Sequence, residues 1–331
     1  MMNFCTRFDQ YFLTRGVALY KSLKRHCNDF HIYIYAFDNK TFDVLNKMNF
    51  DNATILSSSE FEDEKLLEIK KERTTTEYLW TCTPTIILHS IKKFNLTNCT
   101  FLDPDLYFYS SPQDLFDEFG KNSILITSHR YTPKYDQSEA CGKYNVQFTT
   151  FLNNSNGMEA LDWWKKSCDQ WCYMRQEDNK FGDQKYLDDW TERFEDVHVL
   201  KHLGGGVAPW NIQQYHFFKK DGKLMGLEIL NKKEFEIIFY HFHSLKYLNN
   251  FKVDLGSYKL SYEVIRLIYK PYLSHLTAID KKIKKIDNSI YPYKENKLCF
   301  NLKSELKLIK RNLKRRINGN YNICSIKKLE I

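Results

Sequence analysis

The first hundred residues alternate between two apolar periodicities. Asn3-Phe4-Cys5-Thr6 is a short apolar start that reads as a strand, with Arg7-Phe8-Asp9-Gln10 as the loop after it. Residues 11–23 carry apolar side chains at helical spacing. His31-Ile32-Tyr33-Ile34-Tyr35-Ala36-Phe37 then predicts a strand ending at Asp38. Strand, helix, strand over so short a stretch predicts a βαβ unit with a right-handed crossover. Residues 52–57 predict a third strand, residues 60–71 a charged helix, and residues 85–91 a helix with Pro84 in its first turn.

That helix leads to Asn98-Cys99-Thr100-Phe101-Leu102-Asp103-Pro104-Asp105-Leu106-Tyr107-Phe108-Tyr109, in which two β-favouring runs flank a pair of carboxylates. Pro104 cannot donate a ladder hydrogen bond, so the strand stops at Leu102. The order of elements predicts the α/β class with a doubly wound sheet. Asp103 and Asp105 then fall at the carboxyl end of a buried strand, where open α/β sheets place their ligands.

Further along, residues 111–119 predict a short helix stopped by Gly120, residues 123–127 a strand, 131–143 a polar loop, 144–152 a strand and 153–157 a turn. Residues 158–175 form a helix whose Leu161, Trp164, Cys168, Trp171 and Cys172 face reads as core. Phe181-Gly182-Asp183-Gln184 opens another helix, with Asp183 in its first turn. A strand at 198–200 precedes Gly204-Gly205-Gly206, which reads either as a flexible turn or as backbone that lets a ligand close. A strand at 235–242 puts His241 and His243 on one face. Residues 262–269 are helical and Pro271 breaks them. Residues 302–317 carry Leu302, Leu306, Ile309, Leu313 and Ile317 on one face and seven Lys or Arg elsewhere, a basic amphipathic helix. Such a helix either packs on the body or docks on an anionic membrane face.

Composition narrows the class. Of 331 residues, 43% are hydrophobic and 16% aromatic, with few Gly or Pro, which excludes collagen-like and low-complexity chains. No apolar run is long enough for a membrane span, and the N-terminus lacks the basic-then-apolar order of a leader. The nine cysteines lack paired Cys-x-x-Cys spacing, so reduced, buried, cytosolic thiols are expected. Residues 281–331 hold 15 Lys and Arg against 4 Asp and Glu, whereas residues 1–280 hold 34 against 37. The basic character therefore belongs to the tail. No base-reading motif accompanies it, so no nucleic acid is expected.

Two carboxylates offer hard oxygen ligands for Mg²⁺ or Mn²⁺, which can be shared with a substrate diphosphate. The alternative for Asp103 and Asp105 is a polar turn. His241 and His243 are nitrogen ligands or buried structural groups.

Six stretches occur in an order that resembles one family: Tyr78-Leu79-Trp80-Thr81 with Pro84, Phe101-Leu102-Asp103-Pro104-Asp105, Gly142-Lys143-Tyr144-Asn145, Phe181 through Asp188, Ala208-Pro209-Trp210-Asn211, and His241-Phe242-His243-Ser244-Leu245-Lys246. Together they resemble bacterial nucleotide-diphospho-sugar transferases of the GT-A fold, close to glycosyltransferase family 8. The resemblance covers about residues 1–250, leaving 251–331 as a basic helical extension. It implies a Rossmann-like mixed sheet and a metal-dependent transfer of a sugar from a nucleotide donor, UDP favoured, to a glycan or lipid-linked acceptor, in cell-surface polysaccharide or lipopolysaccharide synthesis. Asp103 and Asp105 match the metal-binding DxD, and His241 the late histidine that completes the Mn²⁺ or Mg²⁺ shell, with His243 as runner-up. Lys246 matches a lysine near the diphosphate. Thr6, Arg7 and Tyr11 match the nucleobase loop, and Asp38 stands beside it. Asn145, Asp183 and Gln184 match positions facing the sugar and reaction centre, the last two as catalytic groups. Gln147 stands where a small residue is expected and would reshape the sugar pocket. Ser244 replaces an expected Gly, and Thr83 an expected Lys. Such an enzyme would be cytoplasmic, peripheral on the inner membrane face through 281–331. Rival readings are a metal-dependent nucleotidyltransferase or phosphohydrolase, which needs more clustered acids, and a non-enzymatic membrane-surface protein.

Overall fold

A computed structural model describes residues 1–249, 252–292 and 302–326. The chain runs β1 (Met2–Phe8), α1 (Leu13–His26), β2 (Phe30–Ala36), α2 (Asn39–Met48), β3 (Ala53–Ser57), α3 (Glu64–Glu72), α4 (Thr75–Phe94), β4 (Asn98–Leu102), β5 (Leu106–Phe108), α5 (Gln113–Phe119), β6 (Ile124–Ser128), α6 (Ser138–Cys141), β7 (Tyr144–Leu152) and α7 (Ser155–Gln170). It continues through α8 (Trp190–Arg193), β8 (Val197–Val199), β9 (Tyr215–Lys220), β10 (Lys223–Glu228), β11 (Glu234–Glu236), β12 (Phe239–His241), β13 (Lys246–Asn249), β14 (Lys252–Asp254), α9 (Tyr262–Val264), α10 (Lys270–Ile286), α11 (Leu302–Ile317) and β15 (Ile323–Ser325).

Seven strands form the central sheet in the order β3-β2-β1-β4-β7-β6-β8. β1 pairs parallel with β2 and β4, β2 with β3, and β6 with β8; β7 runs antiparallel to both β4 and β6. This is a doubly wound, mixed α/β sheet. Strand residues alternate between its two faces. Phe4 and Phe8 of β1 join a core with α1, α2, α5 and α10, whereas Cys5 joins a second core with α3, α4 and α7. Val253 of β14, Leu273 and Leu276 of α10, and Ile326 also belong to the first core.

Local sequence reading misplaces several boundaries, each for a physical reason. Arg7 and Phe8 extend β1 rather than forming a loop, because Arg7 and Phe8 pair in register with Tyr35 and Ala36. Pro84 lies in the interior of α4, not its first turn. The helix starts at Thr75, capped by Thr74, whose hydroxyl and Glu77 form a reciprocal capping box. Burial of Cys82, Ile86, Ile87 and Ile91 compensates for the hydrogen bond that proline lacks. Pro271 likewise does not end a helix: it sits in the first turn of α10, which continues from α9 through a π turn at Ile265–Tyr269. The predicted turn at 153–157 ends early, because Asn154 caps α7 by accepting from the Gly157 N–H.

The glycine run at 204–206 serves the chain's own packing rather than an open turn. A Cβ at Gly204 would stand 1.8 Å from the Glu236 carbonyl oxygen. Gly206 has φ +94, and a Cβ there would stand 2.8 Å from Thr127 Cγ2.

Candidate active site

β4 ends at Leu102, and the next four residues close one turn. The Leu106 N–H donates to the Asp103 carbonyl at 3.1 Å. Pro104 occupies the second turn position, which its fixed φ favours. β5 then pairs antiparallel with β12, placing His241 opposite Leu106. The Phe242 N–H donates to the Asp105 carbonyl at 3.0 Å. That register carries the imidazole to the carboxylates: His241 Nε2 lies 3.2 Å from Asp105 Oδ1 and 3.9 Å from Asp103 Oδ2. One ligand atom from each of the three residues falls within 4.8 Å of the others.

Two oxygens and one nitrogen so gathered fit a hard divalent cation of the Mn²⁺ or Mg²⁺ class. Their electrostatics fit as well. Burial works against the charge of Asp105, yet His241, through its charge and its hydrogen bond, holds that carboxyl at about 2, with Arg15 and His243 adding to the effect. Burial raises Asp103 above the ordinary carboxylate range, and the Asp105 charge adds to this against the pull of His241. Burial opposes a charged His241, but the two carboxylates raise its pKa overall. A cation held here would replace that proton.

β7 supplies the site's second wall. Its Asn145 and Gln147 point to one face at period two. Gln147 is wholly buried, and its Oε1 lies 2.8 Å from His241 Nδ1. It therefore stands behind the histidine. Asn145 Oδ1 accepts from the Gln147 N–H at 2.9 Å, while Asn145 Nδ2 faces His129 Nε2 at 2.9 Å and Gln184 Oε1 at 3.3 Å. Burial pushes His129 down to about 3, so its Nε2 is free to accept from Asn145. Gln184 Nε2 donates to the Cys141 carbonyl at 2.7 Å. Asn145 and Gln184 are thus in direct contact.

Asp183 precedes a 3-10 turn at Lys185–Asp189 instead of lying in the first turn of a helix. Gly182, with φ +53, turns the chain against Trp80. Asp183 is buried, and its carbonyl accepts from Trp164 Nε1 at 2.9 Å. Its Oδ2 accepts from the Thr83 hydroxyl at 2.8 Å, and that hydroxyl accepts from Arg7 Nη2 at 2.6 Å. Burial pushes Asp183 up to about 6, against the nearby Arg7 charge and the Thr83 hydrogen bond. Arg7, read from the sequence as part of a nucleobase loop, is a buried β1 residue turned toward Asp183, with its guanidinium 5.2 Å from the centre of the Phe101 ring.

The remaining sequence-derived residues are spread around this centre. Thr6 is fully buried in β1, and its hydroxyl lacks a hydrogen-bond partner among the described residues. Tyr11 is half-buried in the turn after β1, and its carbonyl accepts from Arg15 Nη1 at 3.2 Å. Asp38 caps α2 by accepting from the Thr41 N–H at 2.8 Å, and also accepts from the Gln10 N–H at 2.7 Å, tying that turn down. Lys246 is exposed at the start of β13. His243 lies past the end of β12 and is exposed, unlike His241.

Sequence reasoning overlooked Arg15 and gave Trp210 no role of its own. Arg15 is buried on α1, donates to the Leu245 carbonyl at 3.0 Å and bears on Asp105. Its signal was a cation four residues before Leu19, on the same buried helix face. Trp210 packs edge-on against both His241 and His243, each at 5.3 Å between ring centres.

No family model matches the chain. Two uncharacterized proteins of Bacillus subtilis (strain 168) do: YfnD is 31% identical over 280 residues, covering 83% of this chain and 88% of its own, and YfnF is 30% identical over 284 residues, covering 82% and 92%. Among solved structures, the chain is similar to the galactosyltransferase LgtC in complex with donor and acceptor sugar analogs, at TM-score 0.48 and 9% identity over 84% of this chain and 96% of that one. It is also similar to the apo form of mouse xyloside xylosyltransferase 1, at TM-score 0.44 and 12% identity over 73% of this chain and 98% of that one.

Proposed function

This chain belongs to the family of YfnD and YfnF, and we propose that it is a metal-dependent glycosyltransferase that moves a sugar from a nucleotide-diphosphate donor, UDP favoured, to a glycan or lipid-linked acceptor. The observation that carries the reading is the convergence of Asp103, Asp105 and His241 at the carboxyl end of β4. The ordered motifs around residues 142–145, 181–188 and 241–246 support it.

Breaking the sugar–diphosphate bond leaves growing negative charge on the departing oxygen. Asp103, Asp105 and His241 would hold Mn²⁺ or Mg²⁺, which when bound supplies charge neutralisation at that diphosphate. Lys246, exposed and close enough for its charge to act on His243, would add a cation near the diphosphate. Asn145 and Gln184, already in contact, offer amide groups to the sugar hydroxyls. Asp183, ionised above about pH 6, supplies negative charge against the oxocarbenium-like sugar. Its Oδ2 is engaged by Thr83, which favours an electrostatic role over proton abstraction at that oxygen, and so favours retention of the anomeric configuration.

The tail supports an acceptor at a membrane surface. Ile309, Leu313 and Ile317 of α11 are exposed, beside exposed Lys310, Arg311, Lys314 and Arg316. We read the protein as peripheral on the cytoplasmic membrane face.

A thermal-shift panel of nucleotide-sugars with Mn²⁺ tests the reading, followed by detection of free nucleoside diphosphate when a donor is turned over with acceptor. Only a donor that binds the folded state raises its melting point. Consumption of a nucleoside triphosphate instead would favour the nucleotidyltransferase reading, and no shift with any donor would remove the transferase.

A further inference from the structure

The gathering of three ligands at one point requires each to arrive with the right atom forward. For the carboxylates this is undemanding, since either oxygen serves. For His241 it is not: only Nε2 faces Asp103 and Asp105, so that nitrogen must carry the lone pair and Nδ1 the proton. Among the described residues, Nδ1 in turn faces one side-chain atom, Gln147 Oε1 at 2.8 Å. An amide oxygen can only accept. It thereby fixes the tautomer that a metal ligand needs.

Gln147 is well placed for this work. It is wholly buried, so water does not compete for the bond. Its backbone is clamped on both sides: its N–H donates to Asn145 Oδ1 at 2.9 Å, and its carbonyl accepts from the Asp103 N–H at 3.0 Å. The antiparallel pairing of β4 with β7, Leu102 opposite Phe148, is what sets Gln147 across from Asp103. One residue therefore orients two of the three ligands, Asp103 through its main chain and His241 through its side chain. Gly206 belongs to the same arrangement, because a Cβ there would stand 3.2 Å from Gln147 Nε2 and push the amide.

We infer that Gln147 is a positioning residue for the divalent cation: it holds His241 in the tautomer and ring orientation that present Nε2 as a ligand. This rests on the metal-dependent reading above. Support groups of this kind are worth roughly 10–100-fold in metal affinity.

The test is a titration of the full-length protein with Mn²⁺ alone, followed by electron paramagnetic resonance of the free ion, with no nucleotide-sugar present. Gln147→Met keeps the volume and removes the acceptor; it should bind Mn²⁺ about 10–100-fold more weakly than wild type while its melting point stays within a few degrees. Gln147→Glu keeps an acceptor at that position and should bind at least as tightly as wild type. Wild-type affinity in Gln147→Met overturns the inference while leaving the metal site standing, and so does loss of binding in Gln147→Glu, which would mean that the amide donates to Nδ1. A wild-type chain that does not bind Mn²⁺ at all removes the metal reading and the inference together. Should Gln147→Met fail to fold, Gln147→Asn, whose amide stops one methylene short of His241, is read in its place.

Discussion

Arg7 and Asp183 face each other across one hydroxyl: the guanidinium Nη2 is 3.9 Å from the carboxylate Oδ2, and Thr83 bridges them. A guanidinium can only donate, so the Thr83 proton must point to Asp183. The bridge thus both neutralises and orients the carboxylate. Burial has already pushed Asp183 up to about 6, so this support decides whether it is ionised near neutrality.

The first prediction follows from that bridge. Thr83→Val removes the hydrogen bond that lowers the Asp183 pKa. The acid limb of kcat/KM, expected near pH 6 in the wild type, should move upward, with about tenfold lower rate on that limb for each pH unit moved. Thr83→Ser should bring it back. A pH–rate profile that stays in place in Thr83→Val would separate Asp183 from the reaction.

The second concerns stability. Asp183 is an acid whose folded pKa is raised, so folding favours its protonated form. Below about pH 4 it is neutral folded and unfolded alike, and it costs nothing. Between about pH 4 and 6 the unfolded chain ionises first, and above about pH 6 the folded state carries a buried charge. Stability due to this residue is therefore lost as pH rises through that window. Asp183→Asn should melt higher than wild type at pH 7.5, by about 2–3 kcal/mol in unfolding free energy, with the gain gone by pH 4. Its transfer rate should fall by about 10²-fold or more. A lower melting point at pH 7.5 would mean that the Arg7 attraction outweighs the cost of burial.

Much of this was legible in the chain. The strand periodicities, the stop at Pro104 and the DxD position follow from local rules, because each depends on backbone chemistry within a few residues. What lay beyond reach was set by pairing across long separations. Nothing local to Gln147 says that β4 will set it opposite Asp103, or that His241 will arrive from the far end of the chain. Nor does Thr83, seen as a lysine missing from its place, announce that Arg7 will reach it on α4 from β1. Pro84 and Pro271 misled for the converse reason: tertiary burial overrode a local breaker. Ser244, standing for an expected glycine, adopts the left-handed backbone that glycine enters most readily, at φ +63.

The third prediction is metal removal. Chelation with EDTA should lower the transfer rate by about 10³-fold, the equivalent of several kcal/mol of charge stabilisation, and Mn²⁺ or Mg²⁺ added back should restore it. Asp105→Asn and His241→Ala should show the same loss without recovery on adding metal. A wild-type rate indifferent to EDTA would leave the acidic pair as a structural turn.

The last prediction concerns the tail, and it turns on which face of α11 is committed. Arg315 points inward: its Nη1 and Nη2 meet the two oxygens of Asp254 at 2.6 and 2.7 Å, and Nη2 also meets the Gly256 carbonyl at 2.5 Å. The helix is therefore held to β14 by the buried Arg315. Ile309, Leu313 and Ile317, the residues a surface helix would ordinarily turn to its own protein, stay outside. An apolar stripe bordered by cations suits the boundary between headgroups and acyl chains. Each cation near an anionic leaflet contributes about 1 kcal/mol, and salt screens it. The chain should co-sediment with vesicles of phosphatidylcholine and phosphatidylglycerol, weakly with phosphatidylcholine alone, and be released at high salt. Ile309→Glu with Leu313→Glu should weaken that binding by about tenfold or more, at about 25 cal/mol per Å² of apolar area kept from the lipid, while leaving transfer to a soluble acceptor unchanged. Equal sedimentation with neutral and anionic vesicles would remove the electrostatic half of the argument, and unchanged binding by the double variant would remove the other.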